Sequence, residues 1–351
     1  MELKDLIGQT SEWLKATGPD SDIVISSRIR LARNIGGLKF VDWANNKVRQ
    51  EIAKKAKEAI LSSNYMKNSI YVEMDKINPI DRQFLIERHL ISRDHAVDTE
   101  SKTVFIGDRE IISIMVNEED HLRLQVIQPG FVLDDAWSIM ESLEKDLEKR
   151  LGFAFSDEWG YLTACPTNTG TGLRASVMMH LPAIVFTRQI DNLTDAVSKL
   201  GLTVRGFFGE GTQAIGNFYQ ISNQVTLGHT EIEIIDNLKR VIIQVVSQER
   251  GSREFLKAKK KKIVEDKISR AYSTLGGAHI ITSKETLELL SLVRLGIDLK
   301  LIKNIDTHKL NELLIFTQPA HLQKLEAKAL SPSDRDIKRA ELINKKLGIK
   351  G

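Results

Sequence analysis

Residues 110–127 read EIISIMVNEEDHLRLQVI, and this stretch indicates the fold class. Two β-rich runs, residues 110–116 and 121–127, flank the acidic segment Asn117-Glu118-Glu119-Asp120. This pattern is typical of an antiparallel hairpin with a four-residue loop. We therefore expect an antiparallel or mixed sheet rather than a simple alternation of parallel strands and helices.

Further strands and helices are predicted on both sides of this hairpin. Arg28 and Arg30 alternate with Ile29 and Leu31, which indicates a strand over residues 23–31 with one apolar face. The other predicted strands are 159–164, 203–208 and 218–227, and the predicted helices are 42–61, a helix capped by Asp134 or Asp135, and 174–186.

The last third of the chain is predicted to be helical. Apolar residues recur at helical spacing over residues 231–272, with a break expected near Gly251 and an end at Gly276-Gly277. Thr282, Asp306 and Ser333 are predicted N-caps of later helices. We expect an α+β catalytic domain over residues 1–250 and an all-helical domain over residues 251–351.

The charges of the chain nearly cancel, since 50 Lys and Arg residues stand against 47 Asp and Glu residues and leave a net charge of +3. A nucleic-acid-binding domain usually carries a marked basic excess, so direct nucleic-acid binding is not expected. The single cysteine, Cys165, excludes an internal disulfide and favours a reducing compartment. No apolar run approaches the ~20 residues of a membrane span, and no signal-peptide layout is present. We expect a cytoplasmic protein without membrane association.

Several well-known nucleotide-binding and metal-binding motifs are absent or lack the sequence context that they require. Residues 170–175 (GTGLRA) satisfy G-x-G-x-x-[GA], but no suitable acidic residue follows ~20 positions later, so dinucleotide binding is not favoured. Neither a P-loop nor the protein-kinase motif set is present. The eight histidines show no metal-ligand spacing, and no protein-held metal site is predicted.

Arginines on strand-borne or glycine-flanked positions remain: Arg28, Arg30, Arg123, Arg174 and Arg205. Any one of them alone is explained by a surface salt bridge. Together they resemble a polyphosphate clamp, because guanidinium groups offer a fixed fork to phosphate oxygens and neutralise charge in phosphoryl transfer. Glu119, His121 and Arg123 share parity, so we expect one face to hold a carboxylate beside a guanidinium.

Four segments resemble the signature segments of the guanidino (phosphagen) kinase family, in the family's order. They are residues 26–34 (SSRIRLARN), 117–123 (NEEDHLR), 165–171 (CPTNTGT) and 204–210 (VRGFFGE). The resemblance implies an antiparallel sheet flanked by helices, related to glutamine synthetase. It implies that the five arginines hold ATP phosphates, that Glu119 engages a guanidinium, and that Cys165 lies beside it.

The full set of nucleotide-binding residues implied by the resemblance is Ser26, Ser27, Arg28, Ile29, Arg30, His89, Arg123, Arg174, Ala175, Ser176, Val177, Met178, Arg205, Gly206, Phe207, Phe208 and Gly209. Mg²⁺ would be held mainly by the nucleotide phosphates. A surrounding of arginines would favour Cys165 as a thiolate, and a small filler at a turn is the alternative explanation of this residue.

Departures from the small-substrate members indicate a particular branch of the family. Only 27 residues precede Arg28, where those members carry a helical domain whose loop closes over the substrate. Arginine kinases have G-E-x-T-E where this chain has residues 209–213 (GEGTQ), so Glu210 is taken as the second carboxylate on resemblance alone. The helical extension with residues 335–340 (RDIKRA) resembles the bacterial protein arginine kinases.

That branch implies transfer of phosphate from ATP to arginine side chains of proteins, in stress response and protein quality control. The implied partners are a heat-shock transcriptional repressor as substrate, a zinc-binding activator protein, a Clp-type protease and a second copy of the chain. Arg335, Asp336 and Arg339 would bind phosphoarginine and allow regulation, although Asp336 and Arg339 also fit a plain i,i+3 surface pair. A small-molecule guanidino kinase and a phosphoarginine-binding adaptor with weak catalysis remain alternatives.

Overall fold

The hairpin that residues 110–127 predict is present in the computed structural model, which describes residues 2–207 and 214–348. Its strands are Ile112–Val116 and Leu122–Pro129, paired antiparallel with Val116 opposite Leu122. The loop has five residues rather than four, since His121 lies outside the strand, and a hydrogen bond from the backbone N–H of Asn117 to the carbonyl of His121 at 3.0 Å closes it.

The hairpin belongs to an eight-stranded sheet in which every pairing is antiparallel. In chain order the strands are β1 (Val24–Arg33), β2 (Ile70–Glu73), β3 (Thr103–Ile106), β4 (Ile112–Val116), β5 (Leu122–Pro129), then β6 (Phe155–Ser156) and β7 (Gly160–Tyr161), which form a separate small hairpin, and β8 (Leu173–His180), β9 (Leu202–Gly206) and β10 (Phe218–Asn223). The order across the sheet is β2-β3-β4-β5-β1-β8-β10-β9. This confirms the predicted fold class.

Eleven α-helices accompany the sheet within the described residues. They are α1 (Asn46–Ser62), α2 (Pro79–Glu87), α3 (Leu133–Leu151), α4 (Pro182–Phe186), α5 (Ile190–Lys199), α6 (Glu231–Lys259), α7 (Lys261–Gly277), α8 (Ser283–Asp298), α9 (Thr307–Phe316), α10 (Pro319–Leu325) and α11 (Pro332–Leu347). None of the described helices is long and apolar enough to cross a membrane.

The two faces of the sheet have different partners. On β1, Ile29 and Leu31 point into a core shared with α1, α3, α5 and α6, and both are at most 1% exposed. Arg28 and Arg30 therefore point to the opposite face, as the alternation predicts. A bulge between Val24 and Ser26 shifts the alternation at the start of the strand.

The predicted helix over residues 174–186 is wrong. Most of this segment is β8, which lies between β1 and β10, so its backbone is paired on both sides. Ala175, Val177 and Met179 alternate into the core, a period of two that the apolar run conceals. Helix begins only at Pro182.

Several predicted boundaries also differ. The helix α3 begins at Leu133 after Val132, so neither Asp134 nor Asp135 is its cap; both lie in the first turn, where acidic side chains favour the helix dipole. Ser331 rather than Ser333 caps α11, with its Oγ accepting from the Asp334 N–H at 3.1 Å. Of the strand predicted over 159–164, only Gly160–Tyr161 forms.

The helices α7, α8, α9 and α11 build a second core that also receives Ile25, Ile127, Phe207 and Phe218 from the sheet region. Thr282 and Asp306 cap α8 and α9 as predicted. The helix α6 continues through Gly251 to Lys259. The break therefore lies at Lys260, nine residues later than predicted. Because α6 packs on the sheet and its end packs on α7 and α8, it connects the two parts.

Candidate active site

A cavity of about 680 Å³ opens on the sheet face that carries Arg28 and Arg30. All five predicted phosphate-binding arginines line it, and we call them the cavity arginines: Arg28, Arg30, Arg123, Arg174 and Arg205. They come from the four strands β1, β5, β8 and β9, which are distant in sequence. The sheet therefore concentrates positive charge that the sequence distributes over 178 residues, from 28 to 205.

Strand register explains this concentration. Arg30 lies directly opposite Arg174 on β8, and Arg123 on β5 lies opposite Ala32 of β1. Cross-strand neighbours in an antiparallel pair point to the same face, so each arginine has others within reach. Like charges placed this closely repel each other, and an anionic ligand would relieve that repulsion.

Neutral groups orient several of the arginines. Arg28 donates from Nη2 to Gln220 Oε1 at 2.7 Å, and Arg174 donates from Nη2 to Ser222 Oγ at 3.1 Å. Arg30 Nε is buried and meets no hydrogen-bond acceptor among the described residues. Burial, with Arg174 and Arg123 nearby, lowers the pKa of Arg28 to about 10. A phosphate oxygen would supply both the negative charge and the hydrogen-bond acceptor.

His89, which is predicted to contact the nucleotide, forms an aromatic wall of the cavity. The backbone of His89 has a left-handed φ of 60°, and its carbonyl accepts from Gln125 Nε2 at 2.7 Å. Its ring stands edge-on to Trp13 and to Phe207, with centroids 5.3 Å away in each case. Burial, together with Arg28 and Arg30, lowers the pKa of His89 to about 3, so the imidazole is neutral. Such a wall suits a flat heteroaromatic ring.

The remaining predicted nucleotide contacts divide between the two faces of the sheet. Ser26, Ser176 and Met178 line a small cleft that also contacts Arg28 and His89. Four others have side chains in the opposite layer, so these side chains do not line the cavity: Ser27, Ile29, Ala175 and Val177. Gly206 ends β9 beside Phe207, whereas Phe208, Gly209 and Glu210 lie outside the described residues.

Glu119 lies at the mouth of the cavity, and its side chain is 43% exposed. Its Oε2 lies 3.6 Å from Arg123 Nη1 and accepts from Asn168 Nδ2 at 3.3 Å, and the Cys165 side chain lies close enough to this carboxylate to lower its pKa. Partial burial and the neighbouring Asp120 raise the pKa of Glu119. The predicted proximity of Glu119, Arg123 and Cys165 is therefore present.

The adjacent residue Glu118 is a cavity residue that the sequence reasoning missed. It is 9% exposed, its Oε2 lies 3.6 Å from Arg123 Nε, and it accepts a hydrogen bond from the Ser92 hydroxyl. Burial opposes its ionisation, but Arg123 and Ser92 outweigh that effect and lower the pKa of Glu118. Glu118 thus orients Arg123, whereas Glu119 remains accessible.

Asp120 connects the acidic loop to the segment that contains Cys165. The buried Asp120 Oδ1 accepts from Asn34 Nδ2 at 2.6 Å and from the Ala164 N–H at 2.7 Å. The expected shared face of His121 with Glu119 and Arg123 is wrong. His121 is buried, with Nδ1 accepting from the Ile35 N–H at 3.0 Å and Nε2 bonded to the Lys39 carbonyl at 2.9 Å. Both residues position the loop.

Residues 170–172 are glycine-rich for packing reasons. A Cβ on Gly170, at φ +106°, would lie 2.4 Å from the Thr226 carbonyl, and one on Gly172 would lie 2.7 Å from the Ala32 carbonyl. The segment leads into β8 rather than into a helix, which agrees with the rejection of dinucleotide binding.

The predicted phosphoarginine-binding residues lie on α11, away from the cavity. Arg339 is 2% exposed, donating to the carbonyls of Thr317 at 2.7 Å and Ile281 at 2.8 Å and pairing with Asp336. Arg335 lies close enough to Glu87 for electrostatic interaction. The three side chains are adjacent, with Arg339 engaged in holding α11 in place.

Within residues 2–207 and 214–348, no group of three or more His, Cys, Asp or Glu side chains could hold a metal ion. The cavity fits a polyphosphate, since it offers several guanidinium groups, including an unsatisfied N–H. Sequence reasoning missed Glu118, Gln125, Gln220, Ser222 and Asn168. Alternation along the strand at 218–227 provided a signal for Gln220 and Ser222, but their arginine partners depend on the strand register.

An antiparallel sheet that gathers guanidinium groups around one cavity, with a carboxylate at its mouth, defines an ATP:guanidino phosphotransferase. The family described as ATP:guanido phosphotransferase, C-terminal catalytic domain, matches residues 51–252. The family described as Protein-arginine kinase McsB C-terminal domain matches residues 261–350.

Individual relatives agree with both matches. The chain is 51% identical to a protein-arginine kinase of Halothermothrix orenii over 99% of this chain and 100% of that one. It is 48% identical to a protein-arginine kinase of Desulforamulus reducens over 99% and 98% of the two chains. The chain therefore belongs to the protein-arginine kinase family, and the resemblance predicted from the four segments is confirmed.

Solved structures of more distant members share the fold. A lombricine kinase is 25% identical, with a TM-score of 0.60 over 69% of this chain and 71% of that one. The duplicated taurocyamine kinase of Schistosoma mansoni with bound transition-state-analogue components is 27% identical, with a TM-score of 0.61 over 73% of this chain and 36% of that one.

Proposed function

We propose that the chain transfers the terminal phosphoryl group of ATP to arginine side chains of proteins. The observation that carries this proposal is the convergence of the five cavity arginines beside the accessible carboxylate of Glu119. The kinship with protein-arginine kinases supports a protein-borne arginine as the acceptor.

The cavity arginines would hold the phosphates of ATP, with the base beside His89 and Phe207. Arg28 and Arg174 are preset by Gln220 and Ser222, so little reorganisation is needed when charge moves within the triphosphate. Mg²⁺ would be held mainly by phosphate oxygens and would neutralise part of their charge.

Glu119 would align the substrate guanidinium and accept its proton. A guanidinium has a pKa above about 12 and no free lone pair, so its nitrogen is a poor nucleophile at neutral pH. As the N–P bond forms and the bond from the terminal phosphorus to the bridging oxygen breaks, ADP leaves and the nitrogen proton passes to Glu119. The raised pKa of Glu119 favours that transfer. Glu210 is proposed as a second carboxylate on resemblance.

Cys165 is proposed as a neighbour of the reacting guanidinium. Its Sγ lies 3.0 Å from Thr167 Oγ1, and it shares its segment with Asn168, which donates to the Glu119 carboxylate.

Mass spectrometry of phosphoarginine on a mixed protein substrate tests the proposal, with wild type compared with Glu119→Gln. Loss of the proton acceptor should lower the initial rate by about 10²–10⁴-fold. Glu254→Gln, at an exposed carboxylate on α6, is the matched control and should leave the rate unchanged. Unchanged labelling by Glu119→Gln contradicts the role of Glu119.

The small-molecule alternative is separated by a comparison of ATP consumption on free arginine and on peptide arginine. Comparable rates would favour a phosphagen-type kinase. The structural similarity to a lombricine kinase and a taurocyamine kinase is the reason to test this alternative. Phosphoarginine binding without transfer would favour the adaptor.

We further propose that Arg335, Asp336 and Arg339 bind phosphoarginine. The arginines would take the phosphate and Asp336 the guanidinium, which requires Asp336 to exchange its contact with Arg339 for the ligand. The double variant Arg335→Ala/Asp336→Ala should weaken phosphoarginine binding and leave ATP binding unchanged; loss of ATP binding would contradict two separate sites.

The cellular setting is proposed on the same resemblance: cytoplasmic, in stress response and protein quality control. The partners would be a heat-shock transcriptional repressor, a zinc-binding activator protein and a Clp-type protease, with the helical domain of residues 251–351 forming a homodimer. Regulation through the phosphoarginine site would couple product to activity.

A further inference from the structure

A second groove, of about 360 Å³, lies between the β6–β7 hairpin and residues 226–233. Phe155, Trp159, Leu227 and Glu158 are among its lining residues, and none of them lines the arginine cavity. The groove is separate from the cavity assigned to ATP, so its composition needs another explanation.

The groove exposes large apolar side chains. Phe155 is 56% exposed, Trp159 is 49% exposed and Leu227 is 44% exposed. Phe155 stands edge-on to Tyr161 with ring centroids 5.2 Å apart, so the hairpin presents an ordered aromatic surface. Clustered apolar exposure of this kind is typical of interaction sites, because it costs free energy in water.

Acidic groups flank these apolar side chains. Glu158, Glu231 and Glu233 line the groove, and His229 is the basic-type side chain among its lining residues. Glu233 is fixed by the Thr230 N–H at 2.8 Å, a bond that lowers the pKa of Glu233 and keeps it ionised. Apolar surface with negative charge is complementary to a segment that carries apolar and basic side chains.

Hydrogen bonds connect the groove to the catalytic loop. Thr226 lines the groove, and its single Oγ1–H is shared between the carbonyls of Thr167 at 2.9 Å and Thr169 at 2.8 Å. The residue between them, Asn168, donates to Glu119 at 3.3 Å. One short loop, residues 167–169, therefore links the groove to the proposed proton acceptor.

We propose that this groove binds the segment of an unfolded protein substrate that flanks the target arginine, through apolar and basic side chains. The proposal rests on the proposed protein-arginine kinase activity and assigns it a docking site. Such a segment would be held by Trp159 and Glu158 while its arginine lies at Glu119. The groove would then favour unfolded segments over folded surfaces, because an extended chain can reach both places.

Steady-state kinetics on two substrates test this docking site. The long substrate is a 15-residue peptide with one arginine flanked by leucine and lysine, and the minimal substrate is arginine blocked at both ends. Trp159→Ala and Glu158→Lys should each raise KM for the long peptide about 10-fold, the loss expected for one anchoring contact. Neither should change kcat, KM for ATP, or KM for blocked arginine. Phe255→Ala, at an exposed phenylalanine on α6 outside the groove, is the matched control.

The outcomes separate the docking site from the activity. If wild type labels neither substrate, the proposed function fails. If wild type labels the peptide and both groove variants keep its KM, the docking site is wrong. An equal rise of KM for blocked arginine would also overturn it, because it would indicate distortion of the catalytic loop. Light scattering should show the same mass for Trp159→Ala and wild type; a dissociated oligomer would assign the groove to a second copy of the chain instead.

Discussion

Two groups of buried or half-buried arginines in this protein have opposite surroundings. The cavity arginines lie beside one another, and Arg28 donates to the neutral Gln220. Arg123 also lies 3.6 Å from each of the carboxylates of Glu118 and Glu119 at the edge of this group. The junction arginines, which we define as Arg253, Arg294 and Arg339, meet charged groups or carbonyls. Arg253 pairs with Glu249 at 2.9 Å and Asp298 at 3.3 Å, Arg294 donates to the Ser21 carbonyl at 2.6 Å, and Arg339 donates to Thr317 and Ile281.

The difference shows how to distinguish a binding arginine from a structural one. A buried guanidinium that is hydrogen-bonded or ion-paired within the chain stabilises the fold, and its removal leaves those partners unpaired. A guanidinium that faces other guanidiniums raises the free energy of the empty site and gains its compensation from a ligand. The number of arginines in the sequence does not distinguish binding arginines from structural ones.

The strongest test of this comparison is Arg30→Met. The variant should lower kcat/KM for phosphoryl transfer by about 10³-fold, since Arg30 would stabilise phosphate charge in the transition state. Its thermal unfolding midpoint should stay equal or rise, because repulsion from Arg28, Arg123 and Arg174 is relieved. Activity assays and calorimetry measure both. A clear loss of stability would place Arg30 with the structural arginines and break the comparison.

The converse test is Arg253→Met at the junction. Glu249 and Asp298 would lose a buried partner, so the free energy of unfolding should fall by about 3 kcal/mol. The kcat of the protein that remains folded should not change. Denaturant titration gives the stability, and Arg250→Met is the control for both tests. Arg250 pairs with Asp20 at 2.7 Å on the surface, where a pair contributes about 0–1 kcal/mol.

A smaller effect is expected at Glu87, a buried carboxyl that accepts from the Ala320 and His321 N–H groups at 2.9 Å each. Burial raises the pKa of Glu87 to about 7, against the ordinary 4.5. The folded chain therefore holds a proton that the unfolded chain releases at lower pH. This group's contribution to the free energy of unfolding should fall by about 2 kcal/mol between pH 5 and 7.5.

Glu87→Gln removes this titration. It extends the comparison of buried charged groups from arginines to a carboxyl group. Stability profiles of variant and wild type between pH 5 and 7.5 should converge or cross as pH rises, whatever hydrogen bond the amide loses. Parallel profiles would mean that Arg335 compensates Glu87 fully and that this pair belongs with the structural arginines.

Sequence patterns predicted much of the fold, and the failures have definite causes. The hairpin at 110–127 and the alternation of Arg28 to Leu31 were visible because each is a local period. The strand β8 was read as helix, because its buried residues form a nearly continuous apolar run between two neighbouring strands. The roles of Glu118 and Glu119 could not be separated either, since adjacent carboxylates differ only in what surrounds them.

The amino-acid sequence by itself determined the residue types of the site, the faces of its strands and the family signature in four segments. Which of these residues lie next to one another depends on the tertiary structure. Strand register placed Arg30 opposite Arg174, the Asp120 hydrogen bonds fixed the acidic loop against the Cys165 segment, and burial separated Glu118 from Glu119. The physical reason is range: alternation and capping act over a few residues, whereas charge, burial and pairing depend on neighbours that are distant in sequence.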